Sequence, residues 1–440
     1  PPFGGPIYYC RPGTIKAPFW PGLPLLGGAK RRWFEVLLYV GYIGSLFRAL
    51  VAPELSIELF IPPLVLLPLL GMTDKTIFLA SRAEHYYTAL VCFMFVDDWL
   101  PASKLVWVAI WMWAATSKLN HHFPSVVAVM QSNSPLTQFG PIRKLLYKSY
   151  PDDLRPSRLT HFLAHAGTVT EYVFPIALVL SDGGTVTVVA LAVMVGFHTF
   201  ITSSIPMGVP IEWNVIMVYG AFVLFGHYAD VNAFSVSAPL LIAYLAFALV
   251  AVPLFGNLFP SKASFLCSMR YYAGNWAYSV WLFRGDASKK LDEKLTKAAA
   301  TLPVQLGKFL DEETIIATTS KVLGFRSMHL HGRCLQQLLP KAVDDIDSYE
   351  YVDGELVAGI VIGWNFGDGH LHNMDLLRAV QAQCQFEEGE LRCIFVESQP
   401  MGRATHSWTI ADAATGVRDT GKIRVKDLLE LQPWPAAAEG

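Results

Sequence analysis

A chain of 440 residues that is 53% hydrophobic, 13% aromatic and only 16% charged is too apolar for an ordinary soluble domain. Its apolar residues fall in blocks near the ~20-residue length of a membrane-crossing helix, which predicts a polytopic α-helical membrane protein. A net charge of −2 excludes the basic footprint of a nucleic-acid binder, and six cysteines without a CxxC pair exclude a disulfide framework.

Residues 1–32 read as a Pro/Gly-rich loop, with Tyr8-Tyr9 and Phe19-Trp20 suited to a membrane interface. The chain opens in this loop without an initiator Met, so the protein's own N-terminus, with further helices, is expected upstream. The transmembrane domain is expected over 33–256, with about eight spans. The first four are Trp33–Val51, Ile57–Gly71, Glu84–Trp99 and Ser103–Asn120. Pro62, Pro63 and Pro68 predict that the second is kinked or re-entrant. Pro124–Met130 is short and apolar, which suits a helix lying along the surface. The polar loop Gln131–Arg158 leads to Leu159–Leu180, Thr185–Ile201, Trp213–Tyr228 and Ser235–Phe255.

Residues 257–283 read as an interfacial aromatic connector, and 284–440 as a soluble α+β domain. In that domain Asp292–Leu302 and Asp311–Leu339 have helical periodicity. Tyr349–Ile362, Leu391–Glu397, Ser407–Asp412 and Lys422–Val425 read as strands, with a hairpin turn at Val352–Glu355. Four alternate loops (Ala52–Ser56, Asp97–Ala102, Ser181–Gly184, Ala229–Phe234) contain no Lys or Arg, whereas the loops between them are basic. The positive-inside rule then places the C-terminal domain in the cytoplasm of a cell-membrane protein.

Chemistry-bearing residues cluster at the span ends. The run Trp107–His122, WVAIWMWAATSKLNHH, carries Lys118, Asn120, His121 and His122 to the end of an apolar helix. A charged side chain at membrane depth costs at least ~2.5 kcal/mol, so such a lysine reads as functional unless it extends to the headgroups. His85, His198, Glu212 and Asn214 also lie near span ends, and under the charge-derived topology these all fall on one side. Glu171 sits in mid-span, where an ionised carboxylate needs a partner. His161 and His165, one helical turn apart, have the spacing of half a metal site, without an HExxH or a third ligand. His370 and His372 in GWNFGDGHLH form an HxH, read here as a glycine-rich turn with two exposed histidines and no bound zinc.

Ala115-Thr116-Ser117-Lys118-Leu119-Asn120 resembles the AGxxKL helix ending of the vitamin K-dependent gamma-carboxylases and their horizontally transferred transmembrane relatives. Glu84–Leu90 is similar to the N-H-x-Y-L segment of that superfamily, Phe197-His198 to its FH motif, and Val218–Gly226 to its apolar helix ending in LFG. The order and spacing of these anchors agree over Arg82–Gly226. His121-His122 replaces the usual Asp-Trp, an insertion around Met207–Asn214 follows His198, and a propeptide-binding region is not recognisable. The runs SKLNHHFPSVVAVMQSNSP, MGVPIEWNV and GWNFGDGHLHN also resemble an actinobacterial transmembrane family without assigned function.

The superfamily resemblance implies an active site between helices. Lys118 would be the base, His85 and His198 would position substrate, and Glu171 would balance charge. A reduced quinone is the implied cofactor, and the substrate would be a quinone, an isoprenoid or a lipid-linked molecule entering from the bilayer. Asn120, His121, His122, Glu171, Glu212 and Asn214 are the expected substrate- and lipid-binding residues. A second reading makes the chain a non-catalytic scaffold or lipid-handling subunit of an envelope complex, its C-terminal domain docking a protein partner. Convergence of Lys118, His85 and His198 on one buried site separates the two.

Overall fold

The computed structural model describes residues 5–134, 139–203, 211–271, 273–364 and 368–433. Part of the insertion after His198 (204–210) and part of the glycine-rich turn before His370 (365–367) lie outside the described residues. The molecule is mostly helical, with a five-stranded sheet formed by its C-terminal part.

Among the described residues, four helices are long and apolar enough to cross a membrane: Trp33–Val51 (α1), Arg158–Leu180 (α6), Gly184–Ser203 (α7) and Pro239–Leu258 (α9). Each buries a third or less of its most apolar window and turns large apolar side chains outward, among them Leu37, Phe47, Val173, Val188 and Phe247. That is the surface a lipid-facing helix presents. Ile57–Thr73 (α2) and Ile211–His227 (α8, whose last residues Phe222–His227 form a π turn) are apolar but shorter.

Trp99–Ser117 (α4) differs from all of them. Twelve of its 19 residues are buried, so it is the central helix, packed against α6, α8 and α9. Two buried polar groups fasten its N-terminal end. Asp98 accepts hydrogen bonds from the backbone of Ser237 (2.9 Å) and Ala238 (2.7 Å), capping α9. Lys104 donates to the carbonyls of Tyr228 and Val231 at 2.7 and 2.5 Å, at the C-terminal end of α8.

The expected span Glu84–Trp99 is corrected. Its place is taken by a π turn, Ala83–Tyr87, running into Thr88–Phe93 (α3), eleven residues in all. Eleven helical residues reach about 16 Å, roughly half the ~30 Å hydrocarbon core. The three prolines of α2 lie inside one continuous helix, Ile57–Thr73. Pro68 cannot donate to the Leu64 carbonyl, and the Tyr87 hydroxyl does so instead at 3.1 Å. Phe123–Asn133 (α5) does not lie along a surface. Val126–Val129 are buried, with α6 on one side and Glu312–Met328 (α10) on another.

The sheet runs Tyr349–Asp353 (β2), Tyr278–Arg284 (β1), Leu391–Val396 (β3), Thr405–Asp412 (β4) and Gly416–Arg424 (β5), with all neighbours antiparallel. Six of the seven β1 side chains are buried. Those aromatics therefore belong to a core strand and not to a membrane-surface connector, and the sheet draws in residues ahead of the boundary expected at 284. Helices Leu330–Ala342 (α11) and Gly354–Ile362 (α12) pack on β1. The strand expected over Tyr349–Ile362 is half right. Asp353 ends β2 and accepts from the Glu355 amide (2.7 Å), capping α12 in place of the expected hairpin turn. Tyr8 and Tyr9 are corrected as well. They are buried, with hydroxyls 2.5 Å from the Val361 carbonyl and 3.3 Å from that of Ile362, and so tie the N-terminal segment to α12.

Candidate functional site

Lys118 is the C-cap of α4, where the helix dipole favours a cation. Its amine forms an ion pair with the Glu171 carboxylate of α6, both side chains being buried. The rings of Phe123 and Phe197 stand 5.6 and 5.8 Å from the Lys118 nitrogen. Pro175 lies one turn beyond Glu171 in α6 and lacks the amide that would bond the Glu171 carbonyl. The helix thus loses a rung at the residue that meets the lysine.

Lys118 and Glu171 open onto a cavity of about 130 Å³. His198 and Asn214 line the same cavity, together with Trp111, Trp213, Phe197 and Tyr271. A cavity of about 150 Å³ is known to hold one benzene ring, so this one admits roughly a single ring or isoprene unit rather than a whole lipid. His198 has both nitrogens engaged. The Trp111 indole donates to Nε2 at 3.0 Å, so Nδ1 carries the proton and donates to the Asn214 side-chain oxygen at 2.7 Å. That tautomer leaves His198 to position Trp111 and Asn214, with neither nitrogen open toward a ligand.

His85 does not line the cavity. Its ring meets Trp213 edge-on at 4.6 Å, and Trp213 in turn lies against Tyr271 at 4.3 Å. His85 Nδ1 is 3.7 Å from the buried Glu84 carboxylate. The expected three-residue convergence is therefore partial: Lys118 and His198 share the cavity, and His85 backs the indole that forms its wall.

The remaining candidates divide. Asn120 is a turn residue, its oxygen accepting from the backbone of His122 (2.8 Å) and Phe123 (3.2 Å). His122 turns to the sheet region, 3.0 Å from Gln399 Oε1, with its ring 5.0 Å from that of His406. Burial pushes its imidazole well below the ordinary histidine range. His121 is exposed, and exposed Glu212 pairs with Arg82 at 3.7 Å. His161 and His165 are exposed on the outer face of α6. Neither His370 nor His372 is the exposed turn residue expected. His370 is enclosed by Asp368 and Glu397, and His372 is fully buried against Ser279 at 2.6 Å. Among the described residues, no group of three or more His, Cys, Asp or Glu is arranged to hold a metal ion.

Sequence reasoning missed Trp111, Gly167, Trp213, Tyr271 and Arg82, all of which line the cavity. Two of them carry a legible signal. Trp111, Ala114 and Lys118 form one stripe of α4, and Leu163, Gly167 and Glu171 one stripe of α6, at the i, i+3/i+4 spacing of a single face. Arg82 adopts left-handed backbone (φ 49°) where α2 and its short continuation turn into the π segment.

No curated protein and no solved structure matches this chain. A family model described as "Transmembrane protein of unknown function" matches residues 1–439. The chain, with its lipid-facing helices around a buried lysine–glutamate pair, belongs to that transmembrane family, DUF3556.

Proposed function

We propose that this protein is an integral-membrane enzyme of gamma-carboxylase-like architecture acting on a quinone- or isoprenoid-like molecule, with Lys118 as base. The observation that carries the reading is the Lys118–Glu171 pair at the wall of a ring-sized, aromatic-lined cavity. The reading requires the pair to exchange between its ion-pair form and a neutral amine–acid form. In the neutral form Lys118 Nζ has a lone pair and Glu171 holds the proton. When the amine takes a proton from substrate, it becomes an ammonium facing the new anion, and Glu171 stays neutral. A reduced quinone, the group the resemblance implies, would supply an acidic ring hydroxyl to this cavity. Trp111, Trp213 and Phe197 would hold its ring, with Asn214 set in place by His198.

Gly167 provides the test. A Cβ built there meets nothing within 4 Å, and the residue lines the cavity. Gly167→Leu should carry its side chain into this space from an uncrowded Cβ and favour the helix by up to ~1 kcal/mol. Full-length protein in nanodiscs would be extracted and its bound lipids identified by mass spectrometry. Wild type and Lys118→Met should retain a lipid-soluble ring compound that Gly167→Leu loses. Membranes carrying Lys118→Met should accumulate that compound relative to wild type. Identical lipid profiles in all three proteins would leave the scaffold reading in its place.

The alternation of Lys/Arg-free and basic loops further supports a cytoplasmic sheet region. A periplasm-dependent phosphatase fused after Gly440 should then be inactive. High activity would invert the orientation.

A further inference from the structure

A second cavity, of about 340 Å³, lies between the end of α9 and one face of the sheet. We propose that it binds a neutral, polyhydroxylated ligand: a hexose or polyol unit. Its volume falls within the 300–1,000 Å³ range typical of small-molecule sites. Phe395 and Thr409 are cross-strand partners, and Ser407 lies two residues from Thr409, so all three share the face that forms the floor. Asn373 and Phe259, the latter just past α9, also line it.

Charge selects the ligand class. The wall contains His370, with Nε2 3.1 Å from both Glu397 oxygens and Nδ1 3.1 Å from Asp368. One imidazolium between two carboxylates leaves a net negative charge, which disfavours phosphate and carboxylate ligands. Glu397 Oε1 also accepts from the Ser398 amide and hydroxyl at 2.8 and 3.0 Å, so Oε2, bonded to His370 alone, is the oxygen left to accept from a ligand hydroxyl. The other polar groups that line the cavity are uncharged, among them the Ser407 and Thr409 hydroxyls and the Asn373 amide. The Asn373 oxygen caps the helix Met374–Cys384 (2.9 Å to the Asp375 amide), which leaves its NH₂ as a donor. Neutral donors and acceptors in one cavity with Phe395 and Phe259 suit ring hydroxyls and the apolar face of a sugar.

The chain beside the lining residues Leu258 and Pro400 is tied down. The Met401 amide donates to the Asn257 carbonyl at 2.8 Å, and Asn275 and Gln399 exchange hydrogen bonds of 2.9 and 2.7 Å. Little ordering remains to oppose binding. Because the cavity begins where α9 ends, the sugar could be free or the headgroup of a lipid.

The test uses full-length protein in nanodiscs. In one arm, methyl α-glucoside and myo-inositol are titrated by calorimetry. In the other, glucosyl-diacylglycerol is placed in the nanodisc and scored by native mass spectrometry, with phosphatidylglycerol as comparison. Saturable binding of a neutral probe in either arm is expected, and the tighter arm identifies the source. Loss of two hydrogen bonds in Ser407→Ala/Thr409→Ala should weaken it about tenfold, with unchanged circular dichroism. Gly167→Leu, in the other cavity, should bind as wild type does. Absence of saturable binding in both arms, tighter binding of inorganic phosphate, or undiminished binding by the double variant would overturn the proposal.

Discussion

Replacing Lys118 by Met should lower the stability of the purified protein by about 3–5 kcal/mol, because Glu171 is left buried without its partner. Methionine keeps the length of the side chain and a favourable contact with Phe123 and Phe197, so the loss is of charge rather than of packing. The double variant Lys118→Met/Glu171→Leu removes both charges and should regain most of that stability, since an apolar pair replaces a buried ion pair at little or no cost. Function should not return with it. Chemical unfolding in detergent reads the first quantity, and the lipid profile of the host membrane reads the second. A double variant that recovers both stability and a wild-type lipid profile would make the pair a helix fastener only. One that stays as unstable as the single variant would show that the two side chains do not act as a pair.

What the sequence discloses depends on what surrounds each segment. Trp33–Val51 is legible to the residue because a lipid-facing helix has one requirement, an unbroken apolar run between loops. Glu84–Trp99 is likewise apolar over Thr88–Val96 but is largely enclosed, so its hydropathy does not mark the break into a π turn and α3. Leu356–Ile362 carries the β-branched residues of a strand and is a helix, its sides covered by β1 and the His372 turn. Lys118 and Glu171 are each legible as charges in apolar surroundings. That they face one another follows only from the α4–α6 packing. Tyr8 and Tyr9 have the amphipathic character of membrane-interface residues, and the same character suits a buried ring with its hydroxyl on a carbonyl.

The HxH pair is the sharpest case of position outweighing motif, and it yields the second large effect. Burial opposes charge on both imidazoles. At His372 burial prevails and its pKa falls to about 4. At His370 burial is outweighed by Glu397 and Asp368, and its pKa rises from 6.5 to about 10. A raised folded-state pKa stabilises fully below the unfolded value of 6.5, and that contribution is lost as pH climbs toward 10. The partner carboxylates act at the other end. Burial opposes their charge too, but His370 holds Asp368 down to about 2 and Glu397 below the usual carboxylate range, so their contribution disappears in acid. The three groups together therefore stabilise most between about pH 4.5 and 6.5. A tenfold change in proton affinity corresponds to about 1.4 kcal/mol, so the fall between about pH 7 and 10 should amount to a few kcal/mol. His370→Asn, which carries no titrating proton, should lack that fall. Subtracting its stability–pH curve from that of the wild type cancels the tyrosines, lysines and cysteines common to both. A difference curve that declines through this window is the expected result, and a flat one would mean that His370 is not held as a cation.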